Sequence, residues 1–285
     1  MKISKIYIFL IGITLSFALI IPVSAQNRFD VGDDKYTPSM GQSGKDVIWI
    51  PTGNDLVSSM LKIAEVTPKD LVYDLGAGDG KIAIAAAKEF GANAIGIEFN
   101  PDMAALAQRN ANRAGVGNKV KIINGDIFVE DFSKATVVTL YLLPHLNIKL
   151  RPIILNMKPG TRIASHAFNM GDWEPDKEID SSMARGYFWV VPAKVEGNWA
   201  LTGIEPQSKV VLNLAQRYQK IGGVLTIGNT SQSILNAQIS GDKLSFGYID
   251  RNQQFHTAIV KVNGSELIGH NKGENSDSEI VGKRF

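Results

Sequence analysis

The hydrophobic pattern divides the chain into three stretches. An uncharged apolar run from Ile6 to Ile21 follows Lys2 and Lys5 and ends in Pro22-Val23-Ser24-Ala25. From Val47 to about residue 195, short apolar runs alternate with helical periods, and after Glu196 only short alternating runs remain. In the middle stretch, Asn54 or Asp55 caps a helix that places Leu56, Val57, Met60, Leu61 and Ala64 on one face. Leu71 to Leu75 reads as a strand, Ile82 onward as a helix stopped at Gly91, and Asn93 to Glu98 as a second strand. Asn100-Pro101-Asp102 forms a cap with proline in the first turn, and the helix it starts turns Met103, Leu106 and Ala107 inward before Gly115. Lys119 to Asn124, Thr136 to Leu143 and Thr161 to Phe168 supply three more strands, with a helical segment broken or restarted at Pro152 between the last two. This alternation specifies a parallel sheet with helices on both faces.

Beyond Phe168, Lys177 to Asp180 and Tyr187 to Val191 can form a terminal hairpin, since an antiparallel edge on a parallel sheet is common. Gly222-Gly223, Gly228-Asn229, Gly241-Asp242 and Asn263-Gly264 then read as hairpin turns, with Leu244, Phe246 and Tyr248 alternating inward. The C-terminal part is therefore expected to be a small all-β meander or barrel. The expected division is a leader over 1–25, a polar tether over 26–46, an α/β domain over 47–195 and the β domain over 196–285. The polar segment reads either as a tether or as an ordered arm over the surface.

The first 25 residues have the basic start, apolar run and small-residue end of a signal peptide, with cleavage expected before Gln26. The body is then exported, to the periplasm or the medium. An uncleaved anchor is the alternative, although the 16-residue run falls short of the roughly 20 that a spanning helix prefers. Membrane contact is expected only through this leader if it stays. Without its two lysines, 28 of the 30 basic residues remain against 28 acidic ones. A balanced charge argues against a nucleic-acid partner. The chain has no cysteine, which excludes disulfides, thiolate nucleophiles and zinc-thiolate sites.

The candidate chemistry centres on Tyr73-Asp74-Leu75-Gly76-Ala77-Gly78-Asp79-Gly80-Lys81 and on Glu98. Glycines let the backbone turn sharply and approach a ligand closely. A carboxylate at the tip of the second strand can accept hydrogen bonds from both hydroxyls of a ribose. The dinucleotide fingerprint places its third glycine one residue later, where Lys81 stands. Asp74 suits an ammonium and would repel a pyrophosphate. The arrangement therefore points to S-adenosylmethionine, with Asp126 accepting the adenine amine and Ile127 packing on the ring. The fourth strand ends in Tyr141-Leu142-Leu143-Pro144, beside the place of the sulfonium methyl. It lacks the polar, amide-orienting set expected for methylation of amides or nucleobase amines. His145 and His166 read as structural hydrogen bonders, no catalytic base stands out, and no residue grouping has metal-ligand spacing. Met170-Gly171-Asp172-Trp173 is expected on the rim above the cofactor as a substrate-side loop, with a packed Trp173 as the equal alternative.

Val47-Ile48-Trp49-Ile50-Pro51-Thr52, the segment Val72 to Gly80, Tyr141-Leu142-Leu143-Pro144 and Lys158-Pro159-Gly160-Thr161-Arg162 together resemble the seven-strand class I methyltransferases. Within these, the chain is similar to the group that includes the ATP synthase c-subunit lysine methyltransferase. The resemblance covers roughly residues 45 to 195. It is also similar to exported bacterial proteins that add a small β domain after a Val-Pro-Ala segment, here Val191-Pro192-Ala193. The resemblance implies a Rossmann-like, mainly parallel seven-strand sheet. It also implies cofactor contacts from Asp74, Gly76, Gly78, Glu98 and Asp126 and a protein lysine as acceptor; Thr52 and Ile127 are read as further cofactor contacts, and Tyr141 and Pro144 as the lining of the acceptor side. An exported protein that binds S-adenosylmethionine or a nucleoside without turnover is the alternative, its β domain serving envelope contacts.

Overall fold

The structure is a computed structural model and describes residues 32–180, 184–273 and 277–285. The leader lies outside the described residues. Among these residues no helix is long and apolar enough to cross a membrane.

Helix α1 (Asn54–Ile63) buries Leu56, Val57, Met60 and Leu61, as its apolar spacing requires. Its N-cap is Gly53, which offers no side-chain hydrogen bond, so the expected cap at Asn54 or Asp55 is off by one or two residues. Strand β1 (Leu71–Leu75), helix α2 (Lys81–Phe90), strand β2 (Asn93–Glu98) and helix α3 (Pro101–Arg113) follow. The Asn100 side chain accepts hydrogen bonds from the Asp102 and Met103 N–H groups, closing two of the donors that a helix start leaves unpaired. Strands β3 (Val120–Asn124) and β4 (Val137–Leu140) are joined without a helix, and β4 is shorter than its apolar run. Helix α4 (Pro144–Ile154) runs unbroken through Pro152. That proline falls in the last turn, where only one internal hydrogen bond is forfeited. Strands β5 (Arg162–His166), β6 (Lys177–Asp180) and β7 (Arg185–Val190) complete a seven-stranded sheet of order β3-β2-β1-β4-β5-β7-β6. It is parallel except at β7 and β6, the expected hairpin edge.

One face of this sheet packs against α1, α2 and Ala111 of α3. The other carries Leu146, Leu150 and Ile154 of α4 against Leu75, Ile97, Val138 and Leu140. Trp173 and Trp189 belong to this second layer, with ring centroids 5.9 Å apart.

Strands β8 (Gly197–Thr202), β9 (Val210–Arg217), β10 (Lys220–Ile227), β11 (Thr230–Ser233), β12 (Leu235–Ser240), β13 (Lys243–Ile249), β14 (Phe255–Asn263), β15 (Glu266–Lys272) and β16 (Asp277–Arg284) form a nine-stranded antiparallel sheet. The first strand, β8, pairs with the last, β16, so the sheet curls. Its outer strands β11 and β12 are consecutive in the chain, and the Gln232 side chain bridges the seam by bonding both the N–H and the C=O of Ile249. The result is nearly a barrel, filled by Trp199, Phe246, Tyr248, Leu244 and Leu267. Three of the four expected turns sit where the glycines are. Gly222 and Gly223 instead lie inside β10, and the turn falls at Tyr218, whose φ is 57°. A Cβ on Gly223 would stand 2.3 Å from the Asn213 oxygen, so here the glycine serves close strand approach.

The two sheets are stapled together. The Ala193 N–H donates to the Gly241 carbonyl at 2.8 Å, and Gln216 bonds both Ala193 and Val195. Tyr218 stacks on Trp173 at 6.0 Å and its hydroxyl reaches Asp172 at 3.1 Å. Trp173 is fully buried. It is a core residue of this junction and does not stand on a substrate-side rim, because the Tyr218 hairpin covers it.

No described residue of the β domain lines the strand-tip cavities discussed below. A fragment of residues 32–195 is therefore expected to bind S-adenosylhomocysteine within about twofold of the full chain, while melting several degrees lower because Trp173 loses its cover. Calorimetry on both checks this, and a folded fragment that no longer binds would overturn it.

Candidate functional site

The C-terminal tips of the parallel strands converge, as they do at ligand crevices of open α/β sheets. Asp74 is in register with Gly96 of β2 and Thr139 of β4. This register brings the Thr139 hydroxyl onto Asp74 Oδ1 at 2.7 Å. Asp74 is buried, and desolvation pushes its carboxyl up to about 7, with Asp79 and Glu98 adding like charge and Thr139 opposing. Asp79 is also buried and its pKa is raised by desolvation, against the pull of Lys81. No ion pair among the described residues reaches Asp74.

The turn after β1 leads into α2, whose N-cap is Gly80. Gly78 has φ 54°, and a Cβ there would lie 2.6 Å from Trp49 Nε1, so both conformation and proximity demand glycine. Glu98 accepts the Gly78 N–H at 2.9 Å through Oε2 and the Asn100 N–H at 2.9 Å through Oε1. The carboxylate is thereby fixed with lone pairs to spare. Asp126 accepts the Phe128 N–H at 2.9 Å and pairs with Lys45 at 2.5 Å. Its pKa is lowered, chiefly by Lys45.

Three adjoining cavities share these walls. Thr52, Asp74, Gly76, Gly78, Asp79, Lys81, Trp49 and Tyr141 line one. A second is walled by Glu98, Phe99, Asp126, Ile127 and Leu142, with residues 44–47 over it. The third lies beneath residues 42–50, against Glu98 and Met103. Residues 32–46 are thus an ordered arm and not a free tether. Asp33 anchors the arm to Arg109 at 2.6 Å and to Arg113 at 2.8 Å on α3, and Gly41 donates to the Trp49 carbonyl at 2.8 Å.

At the first cavity, Tyr141 stacks on His166 with centroids 3.7 Å apart. His166 Nδ1 lies 3.0 Å from Thr52 Oγ1, and the Thr52 carbonyl accepts from Lys81 Nζ at 2.9 Å. Desolvation lowers the His166 pKa to about 4, so at neutral pH the ring is uncharged. Pro144 is exposed at the first turn of α4 and lines none of the three cavities. Of the residues read from the sequence, the strand tips gather Thr52, Asp74, Gly76, Gly78, Glu98, Asp126, Ile127 and Tyr141, and leave out Pro144 and Trp173.

The site also contains Asp79, Lys81, Thr139, Trp49 and Lys45, which the sequence pattern does not mark as site residues. Asp79 and Lys81 sit inside the glycine motif and are within reach of motif reading. Thr139 needs the β1–β4 register, and Trp49 and Lys45 need the fold-back of the arm.

A seven-stranded sheet of this order with carboxylates at the tips of β1 and β2 is the Rossmann-like class I methyltransferase architecture. The family described as the ANTKMT methyltransferase domain matches residues 74–177. The chain is 43% identical over 135 residues to a protein-lysine N-methyltransferase of Saccharolobus islandicus, covering 47% of this chain and 84% of that protein. It is 31% identical to the ATP synthase c-subunit lysine N-methyltransferase of Mus musculus over 45% of this chain and 51% of that protein, so it spans about half the length of that relative. A crystal structure described as an RNA methyltransferase from Salinibacter ruber with S-adenosyl-L-homocysteine is 47% identical, covers 51% of this chain and 96% of that one, and has a TM-score of 0.50. The chain belongs to the S-adenosylmethionine-dependent protein-lysine N-methyltransferase family, and its cofactor is S-adenosylmethionine.

The donor set fits that cofactor: a buried carboxylate without a cation, a fixed carboxylate with free lone pairs, and an acid at the far cavity. Asp74, being raised from 3.8 to about 7, ionises only above that pH in the free protein. An ammonium binds the ionised form, so affinity for S-adenosylhomocysteine is expected to fall roughly tenfold per pH unit below 7. Asp74→Asn should bind weakly with no such slope, and Glu98→Ala should lose about 1 to 3 kcal/mol. Titration calorimetry from pH 5.5 to 8 reads both.

Proposed function

We propose that the protein methylates a lysine amine of a protein substrate. The observation that carries this reading is the cavity holding both the buried Asp74 carboxylate and the Tyr141 ring. One end suits the cofactor's ammonium, the other an incoming amine, and the family membership supplies the acceptor class. Asp74 takes the ammonium, Glu98 the ribose hydroxyls and Asp126 the adenine amine, with Gly76 and Gly78 allowing close approach of the ligand and Ile127 packing on the adenine ring. Thr52 and Lys81 hold the segment that enters α1. When bound, the cofactor supplies an electrophilic methyl carbon.

In the transfer, the acceptor amine would take the methyl carbon that the bound cofactor would supply, with the sulfur leaving with the electron pair of the broken bond and the amine's extra proton passing to solvent. Orientation and water exclusion provide most of the acceleration. The amine must arrive unprotonated. His166, uncharged and stacked on Tyr141, places no charge beside this end of the cavity. Nothing in the structure or the relatives supports a binding protein without turnover.

A nucleic-acid acceptor is the second reading, favoured by the description of the Salinibacter neighbour. The balanced charge of the body weighs against it. Incubation of envelope proteins and of total RNA with methyl-labelled cofactor decides, with label expected on protein lysines after peptide mapping and absent from RNA. Turnover should rise with pH as the acceptor amine deprotonates, and Tyr141→Ala should lower transfer more than cofactor affinity.

We also propose that the leader exports the body, which then works in the periplasm or the medium with Gln26 at its N-terminus. The sequence of the leader supports this. Mass spectrometry of protein from the source cell should find residues 1–25 removed. An intact leader in the membrane fraction would favour the anchor, and a cytosolic body would defeat both.

A further inference from the structure

We infer that the arm preceding α1 is a built-in competitor for the nucleoside site, with Lys45 standing where the adenine amine binds. The inference rests on the cofactor assignment above and adds a regulator to that site.

Lys45 makes two contacts. Its ammonium pairs with Asp126 at 2.5 Å and lies 4.9 Å from the centroid of the Phe99 ring. Asp126 is the acceptor assigned to the adenine amine, and Phe99 walls the same cavity as Ile127. A planar base entering that cavity needs the carboxylate oxygen and the apolar faces that Lys45 already uses. A carboxylate oxygen bonded to an ammonium at this distance is not equally free for a second donor on the same side. The two ligands therefore compete for one acceptor.

The rest of the arm puts Lys45 there. Asp33 is held by Arg109 and Arg113, the Gly44 N–H donates to the Val47 carbonyl at 2.8 Å, and the Ser43–Ile48 bridge makes a tight reversal. Lys45 rides at the tip of this reversal. Trp49, on the returning limb, abuts Gly78. The arm thus reaches the adenine end through Lys45 and the amino-acid end through Trp49. Its closure at Asp126 is a partly exposed ion pair, with 39% of the Lys45 side chain accessible. Such pairs contribute little and weaken with salt, so the cofactor can displace this one.

The experiment measures the affinity and association rate of S-adenosylhomocysteine, a ligand of no net charge, by calorimetry and stopped flow on the full chain. Lys45→Ala and Lys45→Met should bind about two- to fivefold tighter than the wild type, the range that an exposed ion pair spans, with faster association. Lys45→Arg should stay near the wild type, because it keeps a cation at Asp126. Raising salt should tighten binding to the wild type and leave Lys45→Ala almost unchanged. Equal or weaker binding by Lys45→Ala would overturn the inference and make Lys45 a bystander or a cofactor contact. Failure of every variant and of the wild type to bind would instead overturn the cofactor assignment.

Discussion

The burial of one carboxylate organises this molecule. Asp74 sits at the tip of the central strand, with Gly96 on one side and Thr139 on the other in parallel register. A carboxylate buried there resists ionisation, and among the described residues the Thr139 hydroxyl alone steadies it. Such a group lowers stability in its ionised form unless a cation joins it. As pH rises from about 4 toward 7, the unfolded chain ionises Asp74 while the folded chain keeps it protonated, so stability falls across this window, and a bound ammonium offsets that loss. The same geometry sets the neighbours. The turn must pass under Trp49, and Glu98 must reach back to the Gly78 N–H, which fixes β2 against the turn.

The second layer of the sheet shows why the β domain is packed as it is. Three helices contribute to one face, whereas α4 alone serves the other. The area left around Trp173, Trp189 and Val191 is large and apolar, and exposing it would be costly. Tyr218 stacks over it, Arg217 and Tyr218 hold Asp172, and Gln219 takes the Glu174 carbonyl. The β domain is thus a structural lid for that face, whatever else it contacts. Residues 32–285 accordingly form one compact unit despite their two sheets.

Most of the α/β half was legible because its signals are local. The strand from Leu71, the stop at Gly91 and the Asn100 cap follow from periodicity and capping chemistry, and Asp74, Glu98 and Asp126 follow from their offsets after strands. Long-range choices were not legible. Gly222-Gly223 has a turn's composition but lies in β10, where β9 runs so close to Gly223 that a side chain there would collide. Trp173 reads equally as rim or core until the Tyr218 hairpin, well beyond it in the chain, is placed over it. Pro152 looks like a break in α4, yet the helix ends at Ile154, just beyond it. The arm is the clearest case. A polar segment rich in Asp, Gly and Ser has the composition of a tether, and only the positions of Arg109, Arg113 and Asp126 in the folded domain turn it into an ordered element.

That composition also decides how firmly the arm can close. An arm that shut the cleft by burying aliphatic side chains would gain about 1.5 to 3 kcal/mol for each large residue fully buried, and an entering nucleoside would have to offset that gain. Here Met40, Ile48 and Ile50 stay largely exposed, and only Val47 packs against the second-layer core. The arm is held mainly by hydrogen bonds and ion pairs, each worth on the order of 1 kcal/mol or less at the surface. The strongest of them, the two arginines on Asp33, lie on α3, away from the cavities. The anchored end can therefore stay in place while the tip yields, so that opening the adenine cavity requires breaking the Lys45 pair and the short reversal but not the whole arm. A polar sequence in this position is what keeps the cleft both covered and enterable.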